Sequence, residues 1–250
     1  MTVSACRFVI VALLLAVGPS AWAACTDPPA RRVNWLGCDK TAADLRGVDL
    51  REAVLMRVNL SDADLSEARL SGADLGRAIL QGTRFNNARL TNARLVGAQL
   101  AGASFTVASM EKVRLDRAVL SSANLVQANL REARLYQADL NQAVLIGAEL
   151  SAADLSQADL TDARLTGANL KDAVLSRAIM EQVDFEGSVL TGAKLDNANL
   201  LGANFSQADL SGADLHGARI DDADFSGAKL DSTIWIDRRR CRPGSVGECL

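Results

Sequence analysis

Aromatic residues make up only 4% of this 250-residue chain, which has one histidine, one tyrosine and four prolines. A single histidine excludes multi-His metal sites and most acid–base dyads. So few rings exclude an ordinary globular core, where large aromatic side chains supply much of the buried area. None of the prolines (Pro19, Pro28, Pro29, Pro243) falls between residues 33 and 237, so that stretch can carry an unbroken backbone hydrogen-bond ladder. No charge dominates either. The formal net charge is −3, which argues against a generally basic nucleic-acid binder. Against these absences stands a hydrophobic share of 49%, too high for a disordered chain. Leu and Ala must fill the interior.

Residues 1–23 read as an export signal. Arg7 supplies the positive start, Phe8 to Val17 an apolar stretch too short to span a bilayer, and Ala21-Trp22-Ala23 a small-x-small cleavage site. No other segment offers a comparable apolar run, so no transmembrane segment is expected after cleavage. The expected location is a bacterial periplasm or the extracellular space. Cys25 admits a lipoprotein as a minor alternative, although Trp22 stands where a lipoprotein signal wants Leu. After loss of Cys6, the mature chain keeps Cys25, Cys38, Cys241 and Cys249. Four Cys in an exported chain suggest two disulfides, with three connectivities open, and no pair has zinc-site spacing.

Residues 33–237 repeat every five residues without an insertion. Taking the central apolar residue as position i, i falls on every number divisible by five. Between Leu45 and Leu230, 30 of 38 such positions are Leu, and 32 of the 38 positions i−2 are Ala. Position i−1 is usually Asp, Asn or Arg, i+1 is often Ser or Thr, and i+2 carries 14 of the 18 Gly. On an α-helix a period of five spirals around the axis, and on a flat strand it alternates between faces. Every Leu and Ala can point inward only if the chain turns after each block, with Gly supplying positive φ where it is needed. Phe occupies i at 85, 105, 185, 205 and 225, all separated by multiples of 20. That spacing favours a square coil of four five-residue sides. Trp35 and Trp235 then lie on one side at opposite ends.

Blocks such as Ala73-Asp74-Leu75 and Ala198-Asn199-Leu200 resemble the pentapeptide-repeat family. The resemblance covers about four-fifths of the chain, and it implies an all-β fold: a right-handed quadrilateral parallel β-helix. The 41 repeats from Trp35 to Trp235 make about ten coils, a rod roughly 48 Å long at the usual strand spacing. That length decides the cysteine pairing, because a disulfide needs Cα atoms within about 7 Å. Cys25–Cys38 and Cys241–Cys249 are therefore predicted, tying an N-terminal cap (24–40) and a C-terminal cap (238–250) over the open ends. Lys40 departs from the repeat where Leu is expected, and an end position lets its amine reach water.

Outward positions 20 residues apart should stack as ladders. At i−1 one ladder reads Arg94, Arg114, Arg134, flanked by Asp74 and Asp154, and Arg84 and Arg89 share a coil with Arg94. No acid occurs between Gly76 and Met110. Residues 40–136 hold 14 basic and 10 acidic groups, whereas residues 137–232 hold 6 and 16. The candidate surface of Arg84, Arg89, Arg94, Arg114 and Arg134 would suit an acidic partner. Its bland counterpart is a solvated face neutralised by Asp74, Asp116, Glu132 and Asp154. The acidic pairs Asp139/Asp159 and Asp44/Asp64 offer too few oxygens for Ca²⁺. His216 lacks a nucleophile constellation, and the glycines do not form a phosphate loop.

The residues thus favour a non-enzymatic binding or scaffold protein of the cell envelope, with no cofactor and no metal. The expected partner is a protein or an anionic envelope component rather than nucleic acid. An imperfectly capped end or a flat face also admits a homodimer. The family resemblance implies one alternative, a DNA-mimicking modulator of type II topoisomerases. The export signal and the basic first half disfavour it.

Overall fold

A computed structural model describes residues 25–250. The expected export signal and cleavage site, residues 1–23, lie outside the described residues. From residue 31 onward each block of five runs turn, turn, interior residue, bridge, interior residue. The residue at i−1 forms a parallel β-bridge with the residue 20 positions later, from Asn34↔Val54 to Asp214↔Ile234. The side of the coil is thus one block, and the coil is four blocks. No side is long enough for an extended strand. Each contributes one bridging residue and then turns.

Three backbone bonds per side join neighbouring coils. Leu55 N donates forward to Asp74 O (2.7 Å), Arg57 N donates forward to Gly76 O (3.0 Å), and Val54 N donates back to Val33 O (2.9 Å). The corner closes within the chain, as where Ala53 N donates to Leu50 O at 3.1 Å. The i−1 side chain supports the corner. Where it is Asp or Asn, its oxygen accepts the backbone N–H of i+1, as in Ser156 N to Asp154 Oδ1 at 3.0 Å and Ser206 N to Asn204 Oδ1 at 2.9 Å. This explains the frequency of Asp and Asn at i−1.

Glycine does less than the sequence reading supposed. Every i+2 residue from 32 to 232 has positive φ, and most are not glycine: Arg57 at 56°, Glu132 at 55° and the β-branched Val107 at 58° are examples. The corner of the coil imposes the conformation on whatever residue stands there, and it persists at Asp222 and Ser232, where no coil follows to accept the i+2 N–H. Gly relieves the strain where it occurs but does not decide where the chain turns.

The interior is filled as expected. The Leu at i and Ala at i−2 are buried from Leu50 through Leu215, interrupted by larger or polar residues at a few positions. Thr83 and Ser188 replace Ala at i−2, and each hydroxyl donates to a buried carbonyl, Thr83 Oγ1 to Leu60 O and Ser188 Oγ to Phe185 O. The phenylalanines form columns, Phe85 on Phe105 (4.8 Å between centroids) and Phe185 on Phe205 on Phe225 (4.9 and 5.1 Å), with nearly parallel rings.

The two ends are closed by different means. At the N-terminal end Cys25 is bonded to Cys38, and the buried Trp35 ring donates its Nε1–H to Asp27 O. Lys40 lies over that ring, its Nζ 4.2 Å from the centroid and 2.7 Å from Cys25 O. Its amine is therefore held by the cap rather than simply released to water. At the C-terminal end Cys241 is bonded to Cys249. The tail folds back antiparallel through Ile234↔Arg240 and Lys229↔Val246, and Trp235 meets Phe225 edge-on. The coverage is uneven, and Ala43, Val48, Ile220 and Ala223 remain only partly buried.

Candidate functional site

The bridges place Arg94 beside Arg114, Arg114 beside Arg134, and Asp74 and Asp154 at the flanks, in the register the 20-residue coil requires. The five candidate arginines nevertheless divide into two groups. Arg134 Nη2 lies 3.0 Å from Asp116 Oδ1, and Arg114 Nε lies 3.5 Å from Asp116 Oδ2. Neither contact has the direction of a hydrogen bond, so the attraction is that of charges. Asp116 sits at a corner with its side chain only 10% exposed, drawn in beneath the two guanidinium groups. Arg84 Nη2 reaches Asp64 Oδ2 one coil back at 3.2 Å. Glu132 serves Lys112, at 3.6 Å, and not the ladder. Arg89 and Arg94 have no acidic partner among the described residues.

The unpaired charge extends beyond the ladder. Arg57 and Arg77, both at i+2, are exposed and likewise without an acidic partner. Between them and Arg94 runs a corner column of i+1 residues, Leu36, Met56, Gly76 and Val96, with Asp116 following. Gly76 makes a gap in that column, a dent of about 390 Å³ walled by Met56 and Val96 and rimmed by Arg57, Arg77 and Arg94. Asp74, also at the rim, accepts Gly76 N at 2.9 Å through Oδ1. Sequence reasoning passed over this gap. Its signal was present: Gly76 is the one glycine of the repeats that stands at i+1 instead of i+2, and its φ is not positive.

The same tie between side chain and turn holds the acids at the N-terminal end. Hydrogen bonds from Arg46 and Arg51 bring the carboxyls of Asp44 and Asp49 down to about 2. Arg31 and Arg32 lower Glu52, and Thr41 lowers Asp39. These charges are committed to their neighbours. His216 lies beside Asp214, Nδ1 to Oδ1 at 3.3 Å, at a corner with no nucleophile in contact. Among the described residues no three His, Cys, Asp or Glu side chains converge as a metal site would need, and no helix is long and apolar enough to cross a membrane.

The sequence between residues 41 and 234 matches the family described as Pentapeptide repeats in eight copies. The chain is a pentapeptide-repeat protein. HetL, a pentapeptide repeat protein involved in heterocyst differentiation regulation from the cyanobacterium Nostoc sp. strain PCC 7120, is similar in structure. It has a TM-score of 0.64 and 35% identity, covering 84% of this chain and 92% of that one. Rfr23 from the cyanobacterium Cyanothece 51142 is 37% identical over 39% of this chain and 63% of its own, with a TM-score of 0.22. Trypsin-treated QnrB1, a plasmid-mediated fluoroquinolone resistance protein, is 22% identical over 65% of this chain and 89% of its own, with a TM-score of 0.40. No curated protein matches the chain at a significant level. The pentapeptide solenoid accounts for the square coil, the Leu and Ala interior and the flat outer faces.

Proposed function

We propose that this pentapeptide-repeat protein is a non-enzymatic, exported binding rod of the cell envelope, and that its first coils engage an acidic partner. The observation that carries the reading is that Arg57, Arg77 and Arg94 gather around one corner column and Arg89 stands on the adjoining side. All four are without an ion-pair partner among the described residues, and Arg77, Arg89 and Arg94 lie in a stretch with no acid between Gly76 and Met110. Unpaired guanidinium groups on two adjoining sides of a rigid coil suit carboxylate or phosphate recognition at little ordering cost. Export is supported by Arg7, the apolar run from Phe8 to Val17 and Ala21-Trp22-Ala23, together with two disulfides of the kind an oxidising compartment sustains. A Cys25 sulfur bonded to Cys38 cannot at the same time carry a lipid thioether.

Two measurements test the reading together. N-terminal sequencing of the protein from fractionated cells should find Ala24 first and place the protein outside the cytoplasm. Cross-linking in intact envelopes should capture a partner that the R57Q/R77Q/R89Q/R94Q variant fails to capture. An uncleaved cytosolic protein would overturn export and bring forward the topoisomerase reading, for which the acidic residues 137–232 would be the relevant surface.

A further inference from the structure

We propose that the dent at Gly76 seats one large apolar side chain of an acidic protein segment lying along the rod. The inference rests on the binding reading above and names what that surface takes. Three observations converge on it. The first is that nothing in the backbone requires glycine at 76. Its φ is outside the left-handed region, and Ser156, four coils along the same column, makes the same bond to its own i−1 aspartate, Asp154, with a Cβ in place. A Cβ built at Gly76 would meet Asp74 Oδ1 at 3.1 Å and Met56 Cγ at 3.9 Å, a fit that small shifts accommodate. The gap therefore reflects space left open in the surface.

The second observation is the wall. Met56 is 38% exposed and Leu36 42%, two large apolar side chains facing outward on one column of a surface whose corners are otherwise mostly polar. They lose water contact only if something covers them. The third is the rim, where Arg57, Arg77 and Arg94 form no ion pair among the described residues and outnumber the one acid there, Asp74, while Asp116 neutralises the ladder one coil further on. Cations around an apolar dent match an apolar side chain flanked by carboxylates. Asp74 favours a peptide over a lipid chain. Its second carboxylate oxygen is left to accept a backbone N–H, which an acyl chain does not offer.

The test titrates the oxidised full chain with fluorescein-labelled acidic peptides that differ only in a central Leu, Phe or Ala. The Leu or Phe peptide should bind at least about tenfold tighter than the Ala peptide, as expected for burial of one large side chain. Gly76→Met, which fills the dent without changing charge, should abolish that preference and keep the affinity for the Ala peptide. Met56→Ala should weaken the preference by removing a wall, so the outcome does not depend on one variant. R57Q/R77Q/R94Q should weaken all three peptides alike. A central residue without effect, or a preference that survives Gly76→Met, would overturn the dent while leaving the arginine surface standing. Peptides that bind no better to the parent chain than to the triple-Gln variant would overturn both. Phosphatidylglycerol vesicles are the final arm: vesicle binding lost in Gly76→Met, with no peptide preference, would assign the dent to lipid and refute the proposal.

Discussion

Arg134 reaches back to Asp116, its Nη2 3.0 Å from Oδ1, and Asp116 is thereby shared with Arg114. One acid at a corner neutralises two steps of the ladder and fixes where the unpaired charge begins. Asp116→Asn should release both guanidinium groups, so that the protein elutes later from a cation-exchange or heparin column. The loss of stability in a denaturant titration should be no more than about 1 kcal/mol, since both arginines are half-exposed and screened. Unchanged elution would mean that the pairing contributes nothing to the surface.

Positive φ at every i+2 position predicts where the rod can be strengthened. Val107 is the β-branched residue held at 58° and is half-exposed. Asn tolerates that conformation better, so Val107→Asn should raise stability by about 0.5–1 kcal/mol. The reverse change at Gly102, where an added Cβ meets nothing within 4 Å, isolates the backbone cost. Gly102→Val should lose about 1–2 kcal/mol with no clash to blame. Denaturant midpoints of the two variants check the pair.

Acid should loosen the rod first at its N-terminal end. Asp44 and Asp49 have carboxyls lowered to about 2, and Asp39, Glu52 and Asp64 are also lowered. A depressed folded-state value contributes stability above the unfolded value, near 4, and loses it as pH falls toward the folded value. Stability should therefore be level from neutral pH to about 4 and decline between about 4 and 2. Asp44→Asn with Asp49→Asn should flatten part of that decline. Denaturation midpoints across the acid range read it out, and a decline that begins near pH 6 would contradict the assignment.

Removal of the N-terminal disulfide should act locally. Cys25 and Cys38 are 13 residues apart and hold the segment carrying Asp27 across Trp35. In a solenoid each coil contacts only its neighbours, so the damage should decay along the rod. Cys25→Ser with Cys38→Ser should speed amide exchange around Trp35 and Leu45 and leave Leu130 and Ala133 protected. Uniformly faster exchange would show that the cap stabilises the whole molecule.

Much of the architecture was legible because one rule repeats. The period of five, the 20-residue column from Phe85 to Phe225 and the separation of the cysteines by rod length all follow from residue spacing, and the bridges and disulfides agree. What spacing could not convey was how outward side chains pair. Asp116 is one acid among several near the ladder in sequence, and only its corner geometry brings it to Arg114 and Arg134 while Glu132 turns to Lys112. Lys40 likewise looked like a core residue lost at an end, yet it closes over Trp35 because the cap folds back to Cys25. The gap at Gly76 was hidden by the abundance of glycine elsewhere, although its register marked it.

The direction of the coil-to-coil bonds has an electrostatic result. On each side two N–H groups point toward the C-terminal end and one points back, so the peptide dipoles do not cancel as they do in ordinary sheets. The rod acquires a backbone polarity with its positive pole at the C-terminal end, opposite in sense to that of an α-helix. The acidic residues 137–232 lie toward that pole and the basic residues 40–136 toward the other. The lengthwise charge asymmetry thus complements the backbone field and has a structural reason to exist. Specific binding is then to be sought in those few arginines of the basic half that no neighbouring acid holds.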